Sequence, residues 1–483
     1  MAAQDAKGHA AFEVIPVPLT DQQKPVNNIR VRTFFFLRHA LDNNALKGAL
    51  DTLIRHHWPK LGARLVTRPD DGFLEYHLPH TFPPDYKLFE WSSASFDSAM
   101  DEAAHVPKAT APERGVTLHQ PLSAALKPLM PSSWPLERKH EYPGAPTVWV
   151  HVSTFTDGTV VGVNLPHALS DQLGLRNILK AWLGILKGEA PPPMTGLRDD
   201  VVSEAVPKSY SDLTKAEARR KGKVRVRGKR EYFKVLMGFA PDLVMHPSDV
   251  NHLLFIPLPL VESLRERHGE ELAKKYGNDV RISNGDIVAG ILLKLSQLHQ
   301  PSAGKMINVT VAINSVRGRV PQLPREDSSY IHNGLMHGSG RVRIGPATPV
   351  AEVSYRHRQA VTEGTDPNDI QIGLAIARQQ VRIGQSMHIC EPGEGSHSIS
   401  NWSAAWKDVD FGPALADPER KDTAAPPQMM VLGEGGEVKQ PARYVSYVLC
   451  KTEEGYWCTT GHTTKSIKPL KELLRTDPSL VNF

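Results

Sequence analysis

The chain has 483 residues, 40% hydrophobic and 23% charged, the balance of a globular protein rather than a disordered one. That length exceeds one ordinary core, so two domains are expected. A net charge of +5 with pI near 8.9 suits an anionic small ligand; without a basic groove or an RNP, zinc-finger or helix-turn-helix signature, it excludes nucleic acid as a partner.

In chain order, Phe12–Val17 and Val31–Arg38 read as strands. A helix follows, with Leu46, Leu50, Leu53, Ile54 and Trp58 at helical spacing and Pro59 as its stop. Leu61–Val66 and Phe73–His77 read as strands around the turn Pro69-Asp70-Asp71-Gly72. Val148–Thr154 and Thr159–Leu165 form a hairpin closed by Asp157-Gly158. A helix over Leu173–Lys187 carries Leu175, Ile178, Leu179, Trp182 and Ile185 on one face and ends at Gly188. Residues from about 190 to 232 turn Pro-rich, polar and then basic between Lys215 and Arg230, a run expected to be a solvated crossover loop. Beyond it come a strand at His252–Pro257, a helix at Val261–His268, and one capped by Ser283 with Asp286 and running through Leu298. A strand at Lys305–Ile313, helices at Glu352–Val361 and Ile370–Ile383, a hairpin of Tyr444–Lys451 with Tyr456–Thr460, and a short helix near Leu470–Leu474 complete the pattern. The expected division is an N-terminal domain over 1–190, a linker over 191–235 and a C-terminal domain over 236–483.

Three cysteines, Cys390, Cys450 and Cys458, cannot all pair with one another and fit a reducing compartment. The opening Met1–Gly8 lacks a signal peptide's apolar core, and no run approaches the roughly 18 apolar residues of a membrane span. A cytoplasmic protein without a membrane partner is expected.

The chemistry centres on Asn164-Leu165-Pro166-His167-Ala168-Leu169-Ser170-Asp171, where an apolar hairpin gives way to an amphipathic helix. A histidine there can take a proton from a hydroxyl or amine near neutral pH and return it to a leaving group. Roughly one His-x-x-x-Asp spacing is expected by chance in this chain, so position gives it weight. Asp171 either orients the imidazole or pins the loop through an arginine; spacing leaves both open. Other templates fail. There is no Gly-x-Ser-x-Gly elbow, Gly222 to Arg230 has the wrong phosphate-loop spacing, and Gly433-Glu434-Gly435-Gly436 lacks a dinucleotide fingerprint's third glycine. The cysteines with His388, His397 and His462 follow no zinc pattern, and Cys390 reads as a small apolar residue rather than a nucleophile. Asp410-Phe411-Gly412-Pro413-Ala414 reads as a turn, and the Trp402 indole as a possible oxyanion donor.

Together these segments resemble the BAHD acyltransferase family. Its His-x-x-x-Asp matches His167–Asp171, and its Asp-Phe-Gly-Trp-Gly matches Asp410-Phe411-Gly412 before departing at Pro413-Ala414. Its arginine-bearing segment before Pro-Leu-Pro is similar to Asn314 through Pro324, its Tyr-Phe-Gly-Asn to Tyr330-Ile331-His332-Asn333, and its Gly-Arg-Leu to Gly62-Ala63-Arg64-Leu65. The resemblance implies two similar-sized α/β domains with mixed sheets flanked by helices, as in chloramphenicol acetyltransferase, and an active-site channel between them. It implies transfer of an acyl group from acyl-CoA, as co-substrate, to a hydroxyl or amine of a small secondary metabolite. His167 would be the base and Trp402 the oxyanion donor. Asp171, Arg317 or Arg319, and Asp410 would be structural supports, with Ser400 and Asn333 binding substrate or donor. No tightly bound cofactor or metal is implied, and a monomer is the expected state. A carrier-protein thioester as donor, or a scaffold that binds or cyclises a metabolite without acyl transfer, are the alternatives. Losing the Trp-Gly of the late motif marks a divergent branch.

Overall fold

Alternating apolar residues build a five-stranded sheet around the expected hairpin. In the computed structural model, which describes residues 12–111, 115–314, 316–320, 323–325, 327–417 and 427–480, β7 (Trp149–Phe155) and β8 (Gly158–Pro166) pair antiparallel. Ser315, Pro321 and Gln322 of the arginine-bearing segment, and the opening Met1–Gly8, lie outside the described residues. Every residue of β8 is buried, as its near-continuous apolar run demands of a strand covered on both faces. β2 (Arg30–Leu37) pairs with the other edge of β8, and β5 (Glu90–Ser95) runs parallel to β7. The fifth strand, β13 (Met429–Gly435), arrives from the far end of the chain to pair with β2. Helices α1 (Asn43–Thr52) and α2 (Gln172–Leu186) pack against each other beside this sheet, the Trp182 indole donating to the Leu46 carbonyl at 2.7 Å. Buried Leu46, Leu50, Leu175, Ile178 and Leu179 line their seam, each contributing about 1.5–3 kcal/mol by leaving water.

A seven-stranded sheet occupies the C-terminal half. Its order is β11 (Leu335–Ile344), β10 (Lys305–Asn314), β12 (Gly395–Asn401), β14 (Val445–Lys451), β15 (Gly455–Thr463), β9 (Asp249–Pro257) and β6 (Thr117–Pro121). Helices α4 (Leu258–Tyr276), α5 (Asn284–Ser296) and α6 (Val350–Gly364) pack together over it, with α3 (Lys229–Met245), α7 (Pro367–Arg382) and α8 (Ile467–Thr476) around them. α5 begins with the expected capping box: Ser283 N donates to Asp286 Oδ2 at 2.7 Å, and Asp286 N to Ser283 Oγ at 3.4 Å. A small sheet, β1 (Phe12–Pro16), β4 (Leu74–Pro79) and β3 (Arg64–Thr67), completes the set.

The two halves trade strands. β13 belongs by sequence to the C-terminal half and by pairing to the N-terminal sheet, while β6 does the reverse. One apolar core accordingly holds Phe35 and Leu165 together with Trp402, Val431 and Leu449.

The structure departs from the sequence reading at several points. Leu61 and Gly62 sit in a 3-10 turn (Pro59–Gly62), and the strand starts only at Arg64. A Cβ on Gly62 would stand 2.8 Å from Ile54 and Phe82, so the chain turns where only glycine fits. The expected linker end at 235 falls inside α3. The basic run is no plain solvated loop either: Arg220 pairs with Asp369, Lys223 with Glu363, and the buried Arg227 with Glu231 and Glu391. Arg220 and Lys223 thereby fasten the crossover to α7 and α6.

Candidate active site

His167 stands on the turn that leaves β8. Its backbone N–H donates to the Ile29 carbonyl at 2.8 Å, and its carbonyl accepts from Asn333 Nδ2 at 2.8 Å. The loop is thus held from both halves of the chain. The imidazole reaches a cavity of about 730 Å³ between the two large sheets, and its Nδ1 has no hydrogen-bond partner. Burial lowers its pKa, partly offset by its own backbone, the Asp171 carboxylate and the Asn333 amide, so the ring is neutral at neutral pH.

Asp171 is not the partner of that ring. As N-cap of α2, its Oδ1 accepts from Gly174 N at 2.8 Å. The same oxygen accepts from Arg317 Nη2 at 3.1 Å, while Oδ2 accepts from Arg317 Nη1 at 2.9 Å and from Gly334 N at 2.8 Å. Four donors fill the roughly four acceptor positions of a carboxylate, leaving none for the histidine. Of the two candidate arginines the structure selects Arg317, whose guanidinium also bonds the His332 carbonyl at 2.5 Å. Arg319 turns away to the Asn314 carbonyl, 2.9 Å distant.

Behind this loop lies a polar cluster the sequence did not announce. Lys60, 1% exposed, donates to the Gly196 carbonyl at 2.8 Å and lies 2.9 Å from His332 Nε2. With Nε2 accepting, His332 carries its proton on Nδ1 and donates it to the Leu169 carbonyl at 3.2 Å. Burial pulls Lys60 down to about 7 and raises the pKa of buried Asp21, which the carboxylates of Asp200 and Asp171 push further. His332 occupies the place of the glycine in the Tyr-Phe-Gly-Asn it resembles, and so ties Lys60 to the turn that follows His167.

The opposite wall comes from the C-terminal sheet. Register places His337, Ala312, Ser400 and Tyr447 in one row across β11, β10, β12 and β14, and all four line the cavity. Trp402, just beyond β12, packs its ring beside Tyr447 and over Gly433, where a Cβ would meet it at 2.9 Å. Its indole N–H is already engaged, donating to Ser400 Oγ at 3.1 Å. The expected oxyanion donor therefore presents Ser400 rather than itself. His337 was missed by the sequence reading; burial and the neighbouring His167 push it down to about 4. Asp410 lies away from the cavity lining. It caps its own turn through Gly412 N at 2.7 Å and pairs with Lys187 at 3.5 Å, while Phe411 buries against Phe35. Asn333, expected to bind substrate, lines the cavity but spends its amide N–H on His167. Among the described residues no cluster of His, Cys, Asp or Glu could hold a metal, and no helix is long and apolar enough to cross a membrane.

No family model matches the chain. It is 26% identical to acetyltransferase adrJ of Penicillium rubens over 78% of this chain and 77% of that protein. The fold superposes on TRI101 of F. graminearum, solved with coenzyme A and T-2 mycotoxin, with TM-score 0.66 and 13% identity over 95% and 97% of the two chains. These likenesses, to a protein named an acetyltransferase and to the fold of TRI101, agree with the resemblance to the BAHD acyltransferases. A further relative, 26% identical over 95% of this chain and 97% of its own length, is named transcriptional regulator sdnM, of Sordaria araneosa.

Proposed function

We propose that this protein is an acyltransferase of the BAHD type, moving an acyl group, acetyl first among candidates, from acyl-CoA to a hydroxyl or amine of a small secondary metabolite. The observation that carries this reading is a neutral imidazole whose Nδ1 has no hydrogen-bond partner, facing a cavity between two sheets on a loop whose carboxylate is fully occupied elsewhere. His167 takes the proton of the acceptor as its oxygen or nitrogen attacks the thioester carbonyl. The new bond forms directly, without an acyl-enzyme, and the carbonyl oxygen gains negative charge. The Ser400 hydroxyl, with one lone pair held by Trp402 Nε1–H, turns its own proton toward that oxygen. Collapse expels the thiolate, to which His167 returns the proton. Arg319 and Arg325 line the cavity with no carboxylate partner among the described residues, a cationic wall suited to a donor's phosphates. The relative named acetyltransferase adrJ and the coenzyme A bound to TRI101 support the choice of donor.

Free-thiol release from acetyl-CoA and longer acyl-CoAs, screened across hydroxylated and aminated metabolites, tests the proposal. His167→Ala should cut kcat by about 10²–10⁴-fold with an unchanged melting temperature. Ser400→Ala should follow the same pattern at about 10²–10³-fold. The sdnM name motivates the contrary outcome: a protein that binds a metabolite, releases no thiol from any donor and tolerates loss of His167.

A further inference from the structure

We propose that the outer face of α3 docks this protein on an anionic membrane surface. Six of the eleven exposed large apolar side chains among the described residues sit on this one helix. They are Phe233 (62% exposed), Leu236 (42%), Met237 (51%), Leu243 (39%), Val244 (80%) and Met245 (57%). Spacings of three, four and seven place Phe233, Leu236, Met237, Ala240 and Val244 along a single stripe, so the solvent-facing side of the helix is its apolar side. Soluble surfaces rarely leave such a stripe uncovered.

The charge around the stripe identifies what covers it. Lys229, Arg230 and Lys234 are exposed on the same helix and have no carboxylate partner among the described residues. Both acids of the helix are neutralised inward, Glu231 by Arg225 and Arg227, Asp242 by Arg443. What the helix offers outward is apolar surface with cations at its N-terminal end and flank, the pattern of an interfacial helix on acidic headgroups. A protein groove is the poorer match, since the stripe has no outward tyrosine or tryptophan anchor. Leu243-Val244-Met245 also spread apolar surface around the helix end rather than along one seam.

The inner face gives the contact a purpose. Tyr232 and Phe239 pack on His388, and Phe239 on Tyr444; the chain neighbours of those two, Met387 and Val445, line the cavity. On the acyl-transfer reading, docking sets one wall of the cavity beside the phase in which an apolar acceptor dissolves.

Co-sedimentation with vesicles of equimolar phosphatidylcholine and phosphatidylserine, against phosphatidylcholine alone, tests the docking without reference to catalysis. Binding is expected to the anionic vesicles and to weaken with salt. Phe233→Glu with Met237→Glu and Val244→Glu should reduce it at least about tenfold. Lys229→Glu with Arg230→Glu and Lys234→Glu should reduce it about a hundredfold. Circular dichroism and melting temperature should not change, because every substituted side chain is exposed. The proposal is overturned if neither vesicle binds, or if the substituted proteins bind like the parent. It is equally overturned if the apolar substitutions instead dissociate a dimer in vesicle-free sedimentation velocity, or release an acidic protein partner.

Discussion

His167 and Asp171 are four residues apart and share no hydrogen bond. The imidazole meets the cavity, whereas the carboxylate is spent on Arg317, Gly174 and Gly334. On the proposed function, proton transfer at His167 therefore depends chiefly on burial rather than on a carboxylate relay. Because burial lowers the His167 pKa beneath its ordinary 6.5, the imidazole stays neutral and able to accept a proton to lower pH than a free histidine. As pH falls through the lowered value, imidazolium forms and the base is lost. The acid limb of kcat/KM against pH should have its midpoint below 6.5; a midpoint above it would remove His167 from the role of base. The choice of Arg317 over Arg319 illustrates what letters alone leave open. Gly318 between them has φ of 78°, in the left-handed region, and swings the two side chains to different partners. Nothing in the spacing of two arginines encodes that swing.

At the level of elements, the loop is clamped because two glycines allow close approach, Gly174 of a neighbouring backbone and Gly334 of the Arg317 guanidinium. A Cβ on Gly174 would stand 1.9 Å from the Ile331 carbonyl oxygen, and one on Gly334 would stand 2.7 Å from Arg317 Nη1. Gly174→Ala must push the start of α2 away from the segment that holds Arg317 and Asn333. It should cost about 1–3 kcal/mol of stability, read from denaturant unfolding, and reduce kcat by more than the fold change predicts. An unchanged kcat would show that the turn tolerates the displacement. The elements that were legible beforehand, β2, β7, β8, α2 and α5, have strong apolar periodicity or clear caps. β5, β11 and β12 read Glu-Trp-Ser-Ser-Ala-Ser, Leu-Met-His-Gly-Ser-Gly-Arg-Val-Arg-Ile and Gly-Ser-His-Ser-Ile-Ser-Asn, rich in residues with little strand propensity. The serines of β12 leave room for the cavity that it lines. The same poverty that hid these strands hid His337 and the partnership of Ser400 with Trp402.

Across the whole molecule, histidines are held neutral in the interior. His397 and His462 are fully buried and pushed down to about 3, and His332 lies well below its ordinary value through burial and the adjacent Lys60. A folded pKa below the unfolded value means that, between the two, only the unfolded chain takes up the proton. Stability should therefore fall as pH drops below about 6.5, by up to about 1.4 kcal/mol per pH unit for each such group. Melting temperature followed from pH 7 to 5 checks this, and a flat profile would contradict the neutral assignments. The motif pair, the arginine segment and the late Asp-Phe-Gly stood out because each is contiguous. The exchange of β13 and β6 did not, because pairing between distant segments leaves no trace in local sequence.

That exchange governs how small molecules reach His167. Seven residue pairs join β13 to β2, and further pairing joins β6 to β9, so each half is stitched into the other by backbone. A clamshell motion of the halves would have to unzip these ladders, which hinge-closing enzymes do not do. The cavity beside His167 thus keeps walls that do not swing apart. On the proposed function, product departure should be paced by side-chain and loop movements rather than by domain opening, and discrimination among acceptors becomes a question of the fit between acceptor and fixed cavity walls.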